Sequence, residues 1–549
     1  MNVLKTQTKY FELLICLVCV VPLMITSCKE KRGNLTAGRE VINEDPRSGG
    51  TYIEASIGDA TYLNPILATD SASGDINSLV YNGLVRYNKD LILEGELAEK
   101  WEIRKNGLEI IFYLRKGVRW HDGEEFTARD VEFTYKKLID PDVKTPYGSD
   151  YMLVKSFRVL TPYTIKITYK EPFSPALESW GMGIIPEHVF LNGDFNNNPA
   201  NRSPVGTGPY KFVEWKTDQK IVLTANNDYF EGAPFIQKYI YRIIPDQSVQ
   251  FLLLRNESID GMELIPDQYK AYDDFFEKYN KYRYPRFAYV YMGFNLLKPL
   301  FKDKMIRKAI AYAVNKDEII EGVLLGIGQP ATGPFPPSSW AYNNNVKSLP
   351  YDPDKAKEIL KQLGWSDTDS DGWLDKNGAR FEFELITNQG NKVRGLITEI
   401  IQSHLKKIGI KVNIKIIEWS SFIHNFVNKK IFDAIVLGWS TALDPDQYAL
   451  WHSSQMSEGK YNFVSFSNKE IDYLLEKGRR TFDLDKRKKI YHRIHEIIAD
   501  EQPYIFLYYP DSLPVVHKRF RGVEVAPIGI GWNFRKWWVN INDRRFKIN

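Results

Sequence analysis

Four aspartates, Asp367, Asp369, Asp371 and Asp375, occupy places 1, 3, 5 and 9 of a loop that turns at Gly372. Hard carboxylate oxygens at alternate positions around a sharp turn are the ligands that calcium takes. Place 12 is Gly378, where a full calcium loop carries a bidentate glutamate. Two readings stay open, a weak structural calcium loop and a solvated acidic turn. A second acidic stretch, Asp444-Pro-Asp446, lies in "GWSTALDPDQYALWHSSQ" (438–455) among Trp439, Tyr448, Trp451 and His452. Aromatic side chains bring large apolar area with a polar handle, which suits sugar or peptide clefts and β-rich cores alike. Signatures of turnover are scarce. The chain has no Gly-x-Ser-x-Gly elbow, and His492 and His495 lack the remaining pattern of a zinc protease helix. Carboxylates are plentiful enough to leave an Asp/Glu hydrolase open, but the balance points to binding without catalysis.

The elements that must position these residues follow from periodicity. "FEFELIT" (381–387), "KVNIKIIEW" (411–419) and "IFDAIVLGW" (431–439) read as strands. Between the first two, Val393, Leu396, Ile397, Ile400, Ile401, His404, Leu405 and Ile408 follow helical spacing. Strand, helix, strand, helix, strand predicts a parallel sheet with right-handed crossovers. Ligands of such sheets sit at the carboxyl ends of the strands, which makes loop 438–455 the first candidate for ligand contact. In the first half, "YTIKITYK" alternates as a half-buried strand, and "FTARDVEFTYKKL" predicts a helix capped by Thr127.

All three cysteines of the 549 residues lie at the start, Cys16, Cys19 and Cys28. Lys5 and Lys9 precede an apolar run, Leu13 to Ile25, that is too short to span a bilayer, where a helix needs roughly 20 apolar residues. Residues 1–27 therefore read as a secretory signal. Ile25-Thr26-Ser27-Cys28 resembles a bacterial lipobox, which makes Cys28 the lipidated N-terminus and residues 28–47 a tether to a membrane. The mature chain would hold no free thiol and would sit in the periplasm or at the cell surface, a compartment where disulfides form. The net charge of +4 is near balance, with no basic stripe for nucleic acid.

Four segments in order, "LAEKWEIRKNGLEIIFYLRKGVRWHDGEEFTARDVEFTYKKL" (97–138), "PVGTGPYKFVEW" (204–215), "NNDYFEGAPFI" (226–236) and "FNLLKPLFKDKMIRKAIAYAVNKDEII" (294–320), resemble the extracellular solute-binding proteins of family 5. These are the oligopeptide, dipeptide and nickel receptors of ABC importers. The resemblance implies an α/β, two-lobed periplasmic-binding-protein-like fold of class II, cluster C. One lobe takes 48–288 plus 504–549, with an inserted domain at about 84–185, and the other takes 289–503. "RFAYVYMGFNL" and "EQPYIFLYYP" would form the two-strand hinge. It also implies a monomeric receptor, without enzymatic cofactor, that hands oligopeptides to a permease and its ATPase subunits. A metal chelate, an opine-like compound or a sugar are the alternative solutes, and a secreted calcium-dependent hydrolase is the other class of reading. Family peptide receptors often carry Gly-Trp-x-x-Asp-Tyr after the third strand, the Asp pairing with the peptide ammonium. Here Gly438 and Trp439 match, Ala442 stands at the acidic position, and Asp444 is the candidate substitute. Trp439 would form a cleft wall. Tyr291 and Tyr508 would line the floor or else pack as hinge aromatics.

Overall fold

Strands buried on both faces organise the second half of the chain. In the computed structural model, which describes residues 45–271 and 274–545, a six-stranded sheet runs Gln329–Pro330, Tyr504–Tyr509, Ala288–Phe294, Ala434–Ser440, Glu382–Asn388, Lys411–Ile417. Alternation sorts the side chains of Ala288–Phe294. Tyr289 and Tyr291 enter one core with Phe335, Trp451 and Tyr491, whereas Val290, Met292 and Phe294 enter another with Ile306, Leu385 and Ile397. Glu382–Asn388 pairs in parallel with both Lys411–Ile417 and Ala434–Ser440, as the strand-helix alternation predicts. The first crossover is the helix Lys392–Lys406, whose first turn is held by the Asn391 side chain. The second is short: Trp419–Ser421 runs directly into a π-helical turn, Phe422–Val427.

The first half builds a seven-stranded sheet around Thr51–Ser56, which pairs in parallel with Lys238–Ile243 and Gly261–Glu263. A four-stranded antiparallel sheet, Ala98–Arg104, Glu109–Leu114, Thr164–Tyr169 and Val154–Thr161, occupies the region expected as an insertion. Ile165, Ile167 and Tyr169 are its buried side, and the helix Ala128–Leu138 is capped as expected: Thr127 Oγ1 accepts from Arg129 N, and the Asp130 carboxylate accepts from Thr127 N. This small sheet has no separate core. Phe112 and Trp180 belong to the same buried cluster as Tyr239 and Phe520.

Two chain segments pass between the halves, where Tyr284–Pro285 pairs antiparallel with Asp511–Ser512. That shifts one expected boundary. Tyr504–Tyr509 hydrogen-bonds to Ala288–Phe294 and so belongs to the second half; the chain returns to the first sheet only with Pro514–His517. The proposed hinge strands are thus core strands of one sheet, and the crossing itself is the short pair beside them. Cys28, the leader 1–27 and most of the tether 28–47 lie outside the described residues. Among the described residues no helix is long and apolar enough to cross a membrane.

Candidate functional site

Between the two halves lies a cleft closed at its edges by direct contacts. Trp419 packs so closely on Gly58 that a Cβ there would lie 2.7 Å from the indole, and Tyr62 meets His424 edge-on. Tyr461 donates its hydroxyl to Tyr147 at 2.8 Å, and Lys460 Nζ reaches the Thr145 carbonyl at 2.6 Å. On another rim Lys392 N donates to Gln247 Oε1, and Lys392 Nζ pairs with Asp267.

The helix Ser71–Val80 presents Ser71, Gly74, Asp75 and Ser78 outward at i, i+3, i+4, i+7 while burying Ala72, Ile76 and Val80. A side chain at Gly74 would meet nothing within 4 Å, so this face borders open space. Asp75, Glu54 and Glu263 keep contact with solvent yet sit deep among protein atoms, as side chains lining an enclosed cleft do. Burial pushes the Asp75 carboxyl up to about 7, Glu54 adds to the rise, and Arg286 opposes it. Glu54 and Glu263 are raised by burial too, with Tyr239 donating to Glu54 at 2.7 Å and Arg286 acting on Glu263 through space.

From the other half Arg394 enters the same region. It stands in the first turn of the helix that follows Glu382–Asn388, and its guanidinium donates to Asn388 Oδ1 at 2.7 Å. Burial lowers its pKa, partly offset by Tyr508 and Tyr291. The floor therefore carries carboxylates on the first half and guanidinium groups at the crossing and on the second. Such an arrangement suits a solute with separated charges of both signs. Position at a strand's carboxyl end was the signal available for Arg394; reading its helix only for apolar spacing passed over it.

The expected site residues separate into different roles. Trp439 is half-buried and fixed in place: its Nε1 donates to Tyr504 Oη at 3.3 Å, and its ring lies 5.2 Å from Tyr461. Tyr508 is buried in the core with Val290 and Leu507, and Arg394 and Arg286 act on it through space. Tyr291 does not line the floor either. It is fully buried, stacked on Tyr504 with 3.8 Å between centroids, because the odd residues of its strand face the core that holds Tyr504 and Trp451. Asp444 meets a protein cation instead of an open cleft: Arg487 binds it in bidentate fashion at 2.5 and 2.7 Å. With its charge met inside the protein, it loses the main reason to serve as an ammonium anchor. Asp446 is likewise paired, with Arg479 at 2.7 Å.

The acidic turn lies apart from this cleft's lining. Asp367, Asp369 and Asp375 offer oxygens within 4.8 Å of one another, but Asp371, the fourth expected ligand, pairs with Arg380. The Asp367 carboxylate already accepts from Asp371 N and Gly372 N, and Asp375 from Thr368 N and Oγ1.

Comparison with known proteins fits this architecture. A family model described as bacterial extracellular solute-binding proteins, family 5 Middle, matches residues 93–461. The oligopeptide-binding protein AppA of Bacillus subtilis (strain 168) is 36% identical over 541 residues, spanning 96% of this chain and 98% of that protein. The solved structure of AppA from Bacillus subtilis with a nonapeptide superposes with a TM-score of 0.87 at 37% identity, covering 90% of this chain and 100% of that one. NikZ from Campylobacter jejuni with Ni(L-His) gives a TM-score of 0.81 at 30% identity, over 89% and 99% of the chains.

Proposed function

From a chain that belongs to the bacterial extracellular solute-binding proteins, family 5, we propose a receptor that captures oligopeptides outside the cytoplasmic membrane and delivers them to an ABC permease, with no catalytic step of its own. The observation that carries this reading is the likeness, over nearly the whole chain, to a protein solved around a nonapeptide. The cleft supports it in chemical terms. Trp439 offers an apolar wall, Arg394 and Arg286 can meet carboxylates, and Asp75, Glu54 and Glu263 can meet ammonium groups. An enclosed ligand charge without such a partner would be costly. The peptide main chain would hydrogen-bond in extended form while its side chains occupy hydrated pockets.

On this reading Cys28 carries the lipid that keeps the receptor, as a monomer, near its permease, and the turn 367–378 is a weak calcium loop with three carboxylate residues. Mass spectrometry of solute released by denaturing freshly purified protein tests the central claim. Peptides of mixed sequence are expected. A single non-peptide compound, such as a metal chelate, would move the receptor to another solute. The free ammonium is tested by titrating matched peptides with and without N-acetylation, free amines binding tighter by roughly 2–5 kcal/mol if a buried carboxylate meets them.

A further inference from the structure

We propose that the acidic loop at the end of the third parallel strand works as a clamp between the two halves, centred on Arg479, and that this clamp strengthens binding of every solute by the same factor. The inference rests on the receptor reading. Within the second half, Arg479 is already fixed: Asp446 pairs with it at 2.7 Å, and the Tyr448 ring lies 3.9 Å from its guanidinium carbon. The Nη2 that faces Asp446 also donates across to Asp150 of the first half, while Nε donates to Asp446 alone at 2.8 Å. Around this centre the same two surfaces meet repeatedly. The Arg479 carbonyl accepts from Ser174 N at 2.7 Å, and Arg480 pairs with Glu171 at 2.8 Å. Asp444 N approaches Glu178 Oε1 at 3.4 Å, and Phe482 lies so close to Gly107 that a Cβ there would sit 2.4 Å from the ring.

Asp446 and the Tyr448 ring hold Arg479 from within its own half, so closing the cleft adds Asp150 without ordering a free side chain. All these partners are protein groups. A receptor that binds solute in its closed form has an apparent affinity scaled by the closed fraction, whatever the solute. A clamp made only of protein contacts therefore multiplies all affinities equally and leaves discrimination to the floor of the cleft.

The test uses Asp150→Asn, with Glu171→Gln as a second variant, because both leave the Arg479–Asp446 pair intact. Dissociation constants and dissociation rates would be measured for trialanine and for a defined nonapeptide, with the unfolding midpoint of solute-stripped protein beside them. The expected result is a rise in both constants by one common factor, roughly tenfold, through faster dissociation, with the solute-free midpoint unchanged. Unequal factors for the two peptides would overturn the clamp by showing that Asp150 reads the ligand. Unchanged affinity, or a fall in the solute-free midpoint that accounts for the loss, would overturn it as well. If the parent protein binds neither peptide, the peptide reading fails by itself; the clamp is then judged on release of the co-purified solute, which must be faster in Asp150→Asn.

Discussion

Two aspartate-rich loops look alike as strings of residues and behave oppositely in the fold. In the turn 367–375 the carboxylates stand in solvent and are met mainly by the loop's own amides and by Thr368. In the loop 444–446 both carboxylates are covered and each meets an arginine from the helical pair Lys469–Arg480 and Leu484–Glu501. An exposed ion pair is worth little, whereas removing one member of a buried pair strands the other charge away from water. The contrast shows that acidic spacing alone does not mark a ligand site. What the rest of the chain brings to the carboxylate decides its role.

The largest effect should come from breaking the buried loop. Asp444→Ala leaves the Arg487 guanidinium covered by protein without its carboxylate, and we expect urea unfolding to register a loss of about 3–5 kcal/mol. Asp371→Ala, which breaks the exposed pair with Arg380, should cost no more than about 1 kcal/mol in the same assay. Equal losses would erase the distinction between the loops.

A smaller effect is expected from pH. Burial pushes the Glu178 carboxyl up to about 7, Asp444 adds to the rise, and Tyr87 and Arg487 oppose it. The share of this rise that comes from the second half, through Asp444 and the cover it brings, appears only on closing, so the carboxyl takes up a proton as the cleft shuts. Its favourable contribution is complete below the ordinary value of 4.5 and fades as pH rises through about 7. Affinity should therefore weaken by roughly tenfold between pH 5 and pH 8. Glu178→Gln should make that profile shallower in titrations by calorimetry, leaving the share owed to Asp75 on the cleft floor. In the exposed turn the shift at Asp375 runs the other way, since Thr368 holds that carboxyl below its usual range. Asp369→Ala should leave the pH profile unchanged.

The smallest effect concerns calcium. With Asp367, Asp369 and Asp375 as ligands and Asp371 taken by Arg380, calcium should raise the unfolding midpoint by only about 1–2 °C. Asp369→Ala should abolish the rise in a scanning calorimeter. A large shift would show that the turn is a strong site and would reverse its standing against the buried loop.

Much of the fold was legible because local patterns and burial agree. The parallel trio 382–388, 411–417 and 434–440 follows from apolar runs separated by a helical repeat, and Thr127 announced its helix by cap chemistry. Trp439, singled out at the start of loop 438–455, lies within the third strand, Ala434–Ser440. Arg394 was missed for a definable reason: a charged residue in the first turn of a helix is ordinary unless one knows that the strand before it opens into a cleft. Asp75 was hidden similarly, on a polar helix face that solvent alone would explain.

By itself, the sequence determined the alternation of strands and helices, the near-neutral charge, and a match to the solute-binding family over residues 93–461, because period, composition and motif order are local properties. Only the tertiary structure decided which aspartate finds Arg487, which face of Ala288–Phe294 buries Tyr291, and that Arg479 reaches Asp150 across 329 positions of chain. Those outcomes depend on desolvation and on partners supplied by distant elements, and a charge or a hydroxyl has no defined role until the fold brings its neighbours to it.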